Sequence, residues 1–208
     1  SLSACPLPES LSPNAMIFPV LITGTAKVGK STLANKLLDR EESNGFKIGH
    51  SVQAETKGIW ACIDKTLVKT SFGNADAYIL YLDCQTMATD CTSLEQNLLV
   101  ALGIRICSAM LLNTGGALEQ SKIMDLLALI TLSLKQLGEV DPKPALFWLL
   151  RDLHLDLGEM DADEYLNRSL KKEWKDVILT SFSSMWCFGL PNLTHTDFVE
   201  DISLSCDV

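Results

Sequence analysis

Apolar residues in this chain fall into two patterns: short unbroken runs that stop on a polar residue, and longer stretches in which they recur every three to four positions. "VLIT" (20–23), "AYILYLD" (77–83), "RICSAMLL" (105–112) and "PALFWLLRD" (144–152) are of the first kind. Continuous runs of this length predict strands buried on both faces, as in a parallel sheet. "STLANKLL" (31–38) places Leu33, Leu37 and Leu38 on one helical face, and a second helix is expected from Leu94 to about Leu102. A longer one runs from Ala117 to Leu137, where Ile123, Leu127, Ile130, Leu134 and Leu137 keep the helical spacing, and Gly138 ends it. The segment from Asp161 to about Phe182 holds two more helices before a short strand near "MWCFGL". "DREESNG" (39–45) is a polar break, and "FKIGHSVQAETKGIWACI" (46–63) reads as a loop running into a strand. The alternation predicts an α/β fold, a mostly parallel sheet covered by helices on both faces. No internal repeat or low-complexity linker interrupts it.

Composition narrows the picture. The 208 residues suit one large domain over 1–208, and 47% hydrophobic content is ample for its core. A net charge of −9, from 17 basic against 26 acidic residues, argues against nucleic acid as a partner. The seven cysteines form no C-x-x-C pair and sit mostly in apolar segments, which favours free thiols in a reducing, cytoplasmic setting. The first basic residue is Lys27, so no charged region precedes the apolar "AMIFPVLIT" as a targeting segment requires. The apolar region from Leu98 to Leu112 is interrupted by Arg105 and is short for a membrane span, and Cys206 stands one place short of a prenylation box. Any membrane association is therefore expected to be indirect.

Chemistry concentrates between the first strand and the first helix. "GTAKVGKS" (24–31) matches the phosphate-loop spacing G-x-x-x-x-G-K-[ST] at Gly24, Gly29, Lys30 and Ser31. With glycine near 7% of average composition, a chance match in a chain of this length has a probability of about 1%. The glycines free the backbone to turn successive N–H groups into one concavity. Lys30 is placed to reach the β- and γ-phosphates, and Ser31 to offer its hydroxyl to Mg²⁺ at the positive end of a helix. Asp83, Arg151 and Asp152 each end an apolar run, so they fall on the sheet edge where ligands of such folds bind.

Several segments in order resemble one family, the guanylate-binding proteins and their atlastin relatives, which are large dynamin-like GTPases. They are "GKSTLANKLL", "FKIGHSVQAETKGIW" and "FWLLRDLHLDL" followed by "DADEYLNRSL". The resemblance implies the G domain of a P-loop GTPase that binds GTP and GDP and hydrolyses GTP with Mg²⁺ as cofactor. It implies a nucleotide-binding set of Gly24, Lys27, Val28, Gly29, Lys30, Ser31 and Thr32 with Arg151 and Asp152. Ser31, Thr56 and Asp83 are the implied metal set, with Asp83 acting through water, and Lys27, Lys30 and Thr56 the implied catalytic set. Asp152 is suited to guanine, because a carboxylate accepts both N1–H and the exocyclic amine, whereas adenine N1 carries no proton. An ion pair of Arg151 with Asp152 at a strand end is the plain alternative. Pairing of two G domains into a homodimer is a further implication, and the family's G domain continues beyond this length, so the domain is expected to be incomplete at its C-terminal end.

Three departures bear on hydrolysis. Lys27 stands where the family has an arginine, Ala54 where a serine helps to place the attacking water, and Thr86 where D-x-x-G has its glycine. Lysine keeps the charge but loses the planar fork. Weakened hydrolysis is therefore expected, with a non-hydrolysing, nucleotide-gated interaction module as the alternative and an ATP-using P-loop enzyme as a third reading. His50, His154 and His195 read as ordinary loop or packing residues. The acidic cluster Glu159, Asp161, Asp163 and Glu164 reads as a helix cap, and Cys84 as a buried inert thiol.

Overall fold

The computed structural model describes residues 2–4, 14–25, 28–41, 44–48, 58–69, 76–84, 94–138, 141–151 and 160–190. In chain order the elements are β1 (Leu2–Ala4), β2 (Met16–Gly24), α1 (Lys30–Leu37), β3 (Ile59–Lys69), β4 (Asp76–Cys84), α2 (Leu94–Ile106), β5 (Ala109–Gly115), α3 (Gln120–Leu137), β6 (Ala145–Arg151), α4 (Ala162–Ser169), α5 (Lys172–Ser181) and β7 (Ser184–Leu190). The strands form one sheet in the order β1-β3-β4-β2-β5-β6-β7. All neighbours are parallel except β3 and β4, which run antiparallel with a register irregularity between Ile63 and Leu67. The expected α/β architecture with a mostly parallel sheet is present.

Alternate residues of each central strand feed two separate cores. Leu21, Leu82, Met110, Leu112, Leu146, Trp148 and Leu150 pack with α2, α3, α4 and α5 on one face. Val20, Ile22, Tyr81, Leu149 and the partly buried Leu111 and Phe147 lie on the other, where Leu33, Ala34 and Leu38 seat α1 or its C-terminal end. Burial on both faces is why these strands appear in the sequence as unbroken apolar runs. Phe147 stacks on Trp186 and Phe188 of β7, with centroids 5.1 and 6.2 Å away.

One boundary differs from the sequence expectation. "RICSAMLL" is not a strand throughout: Arg105 and Ile106 complete α2, and β5 begins at Ala109. Arg105 donates from Nη1 to the Gly138 carbonyl at the end of α3, and the Cys107 N–H closes the helix on Gly103 O at 3.0 Å. A continuous apolar run does not by its pattern separate a buried helix end from a strand start. Elsewhere the local chemistry is as read. Asp161 caps α4 by accepting the Glu164 N–H at 2.7 Å, and Gly138 ends α3 with φ 76°. Asp163 does more than favour the helix dipole, since its Oδ1 also accepts the Cys187 N–H of β7 at 3.0 Å.

A buried clamp ties α1 to the chain that follows it. Asn35, 3% exposed, donates from Nδ2 to Phe46 O at 2.8 Å and accepts the Phe46 N–H on Oδ1 at 2.6 Å. Phe46 itself fills the α1-side core. Asn35→Ala strands both main-chain groups of Phe46 away from water, so urea unfolding of this variant is expected to show a loss of about 2–3 kcal/mol. A loss below about 0.5 kcal/mol, the size of an ordinary surface change, defeats that account of the clamp.

Candidate functional site

The turn from β2 into α1 holds the phosphate-loop residues, and its two fixed glycines have different reasons to be glycine. Gly24 has φ 139°, and a Cβ on it would lie 1.8 Å from the Asn113 carbonyl oxygen, so no larger residue fits against β5. Gly29, at φ 75°, is the left-handed N-cap of α1, whose first turn opens with the Leu33 N–H on Gly29 O at 2.8 Å. Between them the loop is tied to its neighbours. Thr25 N–H donates to Asn113 O at 3.1 Å, Asn113 Nδ2 donates to Val28 O at 3.2 Å, and Lys30 Nζ donates to Thr25 O at 2.7 Å.

Lys30 is 9% exposed, and that burial holds its ammonium below the ordinary 10.5; Asp83 and then Cys84 oppose the shift. Ser31, the next residue, donates its hydroxyl to Asp83 Oδ2 at 2.6 Å. Asp83 closes the apolar run of β4 at 1% exposure, paired in register with Ile22 of β2. The structure therefore places Lys30, Ser31 and Asp83 together beside the turn that holds Gly24 and Gly29.

Strand parity adds two more residues to this face. Asp83, Asn113 and Arg151 share the alternation of Tyr81, Leu111 and Leu149, which pack on the α1 side of the sheet. Arg151 is 5% exposed at the end of β6, and its carbonyl accepts the Gly116 N–H at 2.6 Å. It is in register with Gly115 of β5, and two inter-strand spacings, about 10 Å, separate β6 from β2, which leads into the loop. The phosphate loop and Arg151 thus share one edge of the sheet. Val28 and Thr32 lie within or beside the loop, while Lys27, Thr56 and Asp152, with Ala54, Thr86 and the three histidines, lie outside the described residues. Asn113 was not anticipated from the sequence. Its signal is the one that singled out Asp83: a polar residue ending the apolar run "AMLLN" of a central strand.

A family model for the guanylate-binding protein, N-terminal domain, matches residues 12–192. The chain belongs to this family. Among curated relatives, the guanylate-binding protein 5 of Mus musculus is 30% identical, with 90% of this chain aligned to 39% of that protein. The guanylate-binding protein 2 of Homo sapiens is 31% identical, with 73% of this chain aligned to 28% of it. The chain therefore spans well under half the length of these relatives. Among solved structures, a crystal structure of an SsGBP mutation variant aligns at a TM-score of 0.48 and 14% identity, covering 86% of this chain and 50% of that one. The guanylate-binding protein match takes in every candidate residue from Gly24 to Asp152.

No helix among the described residues is long and apolar enough to cross a membrane. Cys62, Cys84, Cys107 and Cys187 are buried and in no disulfide. Burial, reinforced by the Asp83 charge, pushes the Cys84 thiol up to about 12, and burial takes Cys107 and Cys187 to about 12 as well. The folded chain holds these protons where an unfolded thiol, with its ordinary value of 9.0, releases them. Their contribution to stability is accordingly complete below about pH 9 and declines as pH rises toward 12. At pH 8, an aromatic disulfide reagent should leave these four thiols unmodified over the time in which urea-unfolded chain reacts fully; rapid native labelling of Cys84, located by peptide mass, refutes its inert reading.

Proposed function

We propose that this chain is a GTP-binding G domain of the guanylate-binding type, with weak, Mg²⁺-dependent GTP hydrolysis. The observation that carries the reading is the Ser31 to Asp83 hydrogen bond of 2.6 Å beside the loop lysine. A hydroxyl and a carboxylate are both hard oxygen donors, a set that suits Mg²⁺ and not a thiophilic metal. Ser31 and Thr56 are the residues that would hold the ion, with Asp83 acting through water. When bound, Mg²⁺ neutralises charge on the phosphate oxygens.

The chain's own groups account for the rest of the binding step. The loop's N–H groups and the N-terminal end of α1 favour an anion. Lys30 already has its Nζ on the loop at Thr25 O, so a seated phosphate meets a cation that needs little rearrangement. An anion there also offsets the burial that holds the ammonium below its ordinary value. Arg151, at the end of β6, and the adjoining Asp152 are the residues that recognise the base in this reading, Asp152 accepting guanine's two N–H donors. Lys27 acts in place of an arginine on the transferring phosphate. The absence from the sequence of the family's water-placing serine and D-x-x-G glycine supports slow chemistry with affinity retained. Pairing of two GTP-loaded G domains belongs to the same reading.

Ala54 and Thr86 also favour a second reading, in which GTP loads and orders an interaction surface without being cleaved. Equilibrium binding and single-turnover hydrolysis on the same preparation separate the two. GTP is expected to compete at least about tenfold better than ATP, and Asp152→Asn should erode that preference by about 1–3 kcal/mol, roughly 5- to 150-fold. Lys30→Ala should abolish tight binding. Phosphate release that vanishes in the Lys30→Ala chain establishes the enzyme; selective binding with release no faster than in that variant establishes the gated module. Equal competition by ATP sinks the guanine assignment.

A further inference from the structure

The phosphate loop does not hold its shape by its own sequence alone. Asn113, at the C-terminal end of β5, is fully buried and touches the loop at both ends. Its main chain packs against Gly24 so closely that a Cβ there would meet its carbonyl carbon at 2.6 Å, and its carbonyl oxygen takes the Thr25 N–H at 3.1 Å. Its side chain reaches three residues further, where Nδ2 donates to Val28 O at 3.2 Å. Val28 precedes the left-handed Gly29 and the first residue of α1.

The consequence follows from peptide geometry. The Val28–Gly29 bond is trans, so its C=O and N–H point in opposite directions. Drawing Val28 O toward β5 therefore turns the Gly29 N–H away from β5. The same residue fixes Thr25, whose carbonyl holds Lys30 Nζ at 2.7 Å. The buried carboxamide thus governs a loop N–H, while the main-chain carbonyl of the same residue holds Thr25 and, through it, the loop cation.

We propose that Asn113 is a positioning residue of the phosphate loop, its side chain setting the direction of the Gly29 N–H through the Val28 carbonyl while its main chain seats Lys30 through Thr25. The proposal deepens the nucleotide-binding reading and rests on it for its ligand. Asn113 touches the loop and not the reacting atoms, and it acts by keeping the anion-facing groups aligned before nucleotide arrives. Preformed donors cost no reorganisation on binding, so loosening them is paid in affinity.

The test uses the full chain with Asn113→Ala and Asn113→Asp, the second keeping the side-chain volume while replacing the donor by an acceptor. Thr114→Val is the control. It removes the neighbouring buried bond from Trp148 Nε1 to Thr114 Oγ1, 3.0 Å, which touches the core and not the loop. Amide hydrogen exchange is followed by NMR without nucleotide at Thr25 N–H and Leu33 N–H, bonded to Asn113 O and Gly29 O. Both Asn113 variants should exchange at least about tenfold faster at Leu33, where release of the Val28 carbonyl loosens the Gly29 turn by about one hydrogen bond. Thr25, held by the main chain of residue 113, should stay near the wild-type rate. Thr114→Val should lower the melting temperature and leave both amides at the wild-type rate. Titration with a fluorescent GDP analogue should then show about tenfold weaker binding for Asn113→Asp and unchanged binding for Thr114→Val.

Unchanged exchange at Leu33 in a folded Asn113→Asp chain overturns the proposal whatever the nucleotide result. So does wild-type GDP affinity in that variant. Accelerated exchange in a family of chains of which even the wild type ignores guanine nucleotide upholds Asn113 as the loop's positioning residue and sinks the ligand reading instead. If Asn113→Ala does not fold, the isosteric Asn113→Asp carries the comparison.

Discussion

A carboxylate at 1% exposure is the constraint around which this structure is arranged. Taking the Asp83 charge out of water costs several kcal/mol unless charge and hydrogen bonds replace the solvent. The Ser31 hydroxyl supplies a hydrogen bond at 2.6 Å, and the buried Lys30 ammonium supplies opposite charge. Those two residues are the first of α1, so the same compensation that makes Asp83 tolerable also fixes where α1 begins relative to β4. β2 is the strand beside β4 in the sheet, and the chain has to pass from the end of β2 to Lys30 in five residues, 25–29. The loop's geometry is therefore a result of burial energetics on both sides as much as of its own glycines.

The sheet was legible because its strands are buried on both faces, so β2, β4 and β6 appear as apolar runs with abrupt polar ends. The loop was legible because two glycines, a lysine and a serine at fixed spacing have few other uses. Less could be read where two physical causes give the same letters. The β5 region is apolar both because α2 ends in the core and because the next strand starts there, and only the tertiary bonds of Arg105 and Cys107 divide it at 107–108. The antiparallel β3 carried no periodicity that distinguishes its direction from a parallel neighbour.

Asn113 illustrates a different limit. A pattern search looks along the chain, whereas the partners of Asn113 are 85 residues away at Val28 and equally remote at Thr25. Its polarity in a buried run was visible, but its meaning depends on which strand lies beside β2. Sequence order suggests β3 or β4 as that neighbour; the sheet places β4 on one side and β5 on the other. Arg151, by contrast, ends a buried strand as its sequence pattern indicates, and the structure adds that β6 lies two strands from β2.

The bond from Asp163 to the Cys187 N–H has a bearing on self-association. β7 is the last strand of the described sheet on its side, and an outermost strand offers a row of main-chain donors to which a foreign strand can add. Here the donor in the middle of that row is already occupied by a carboxylate carried on α4, which packs against the strand. An incoming strand would have to displace a hydrogen-bonded charge and leave it facing its own carbonyls. Aromatic side chains decorate one face of β7, yet its rim carries an anionic plug that discourages runaway sheet extension.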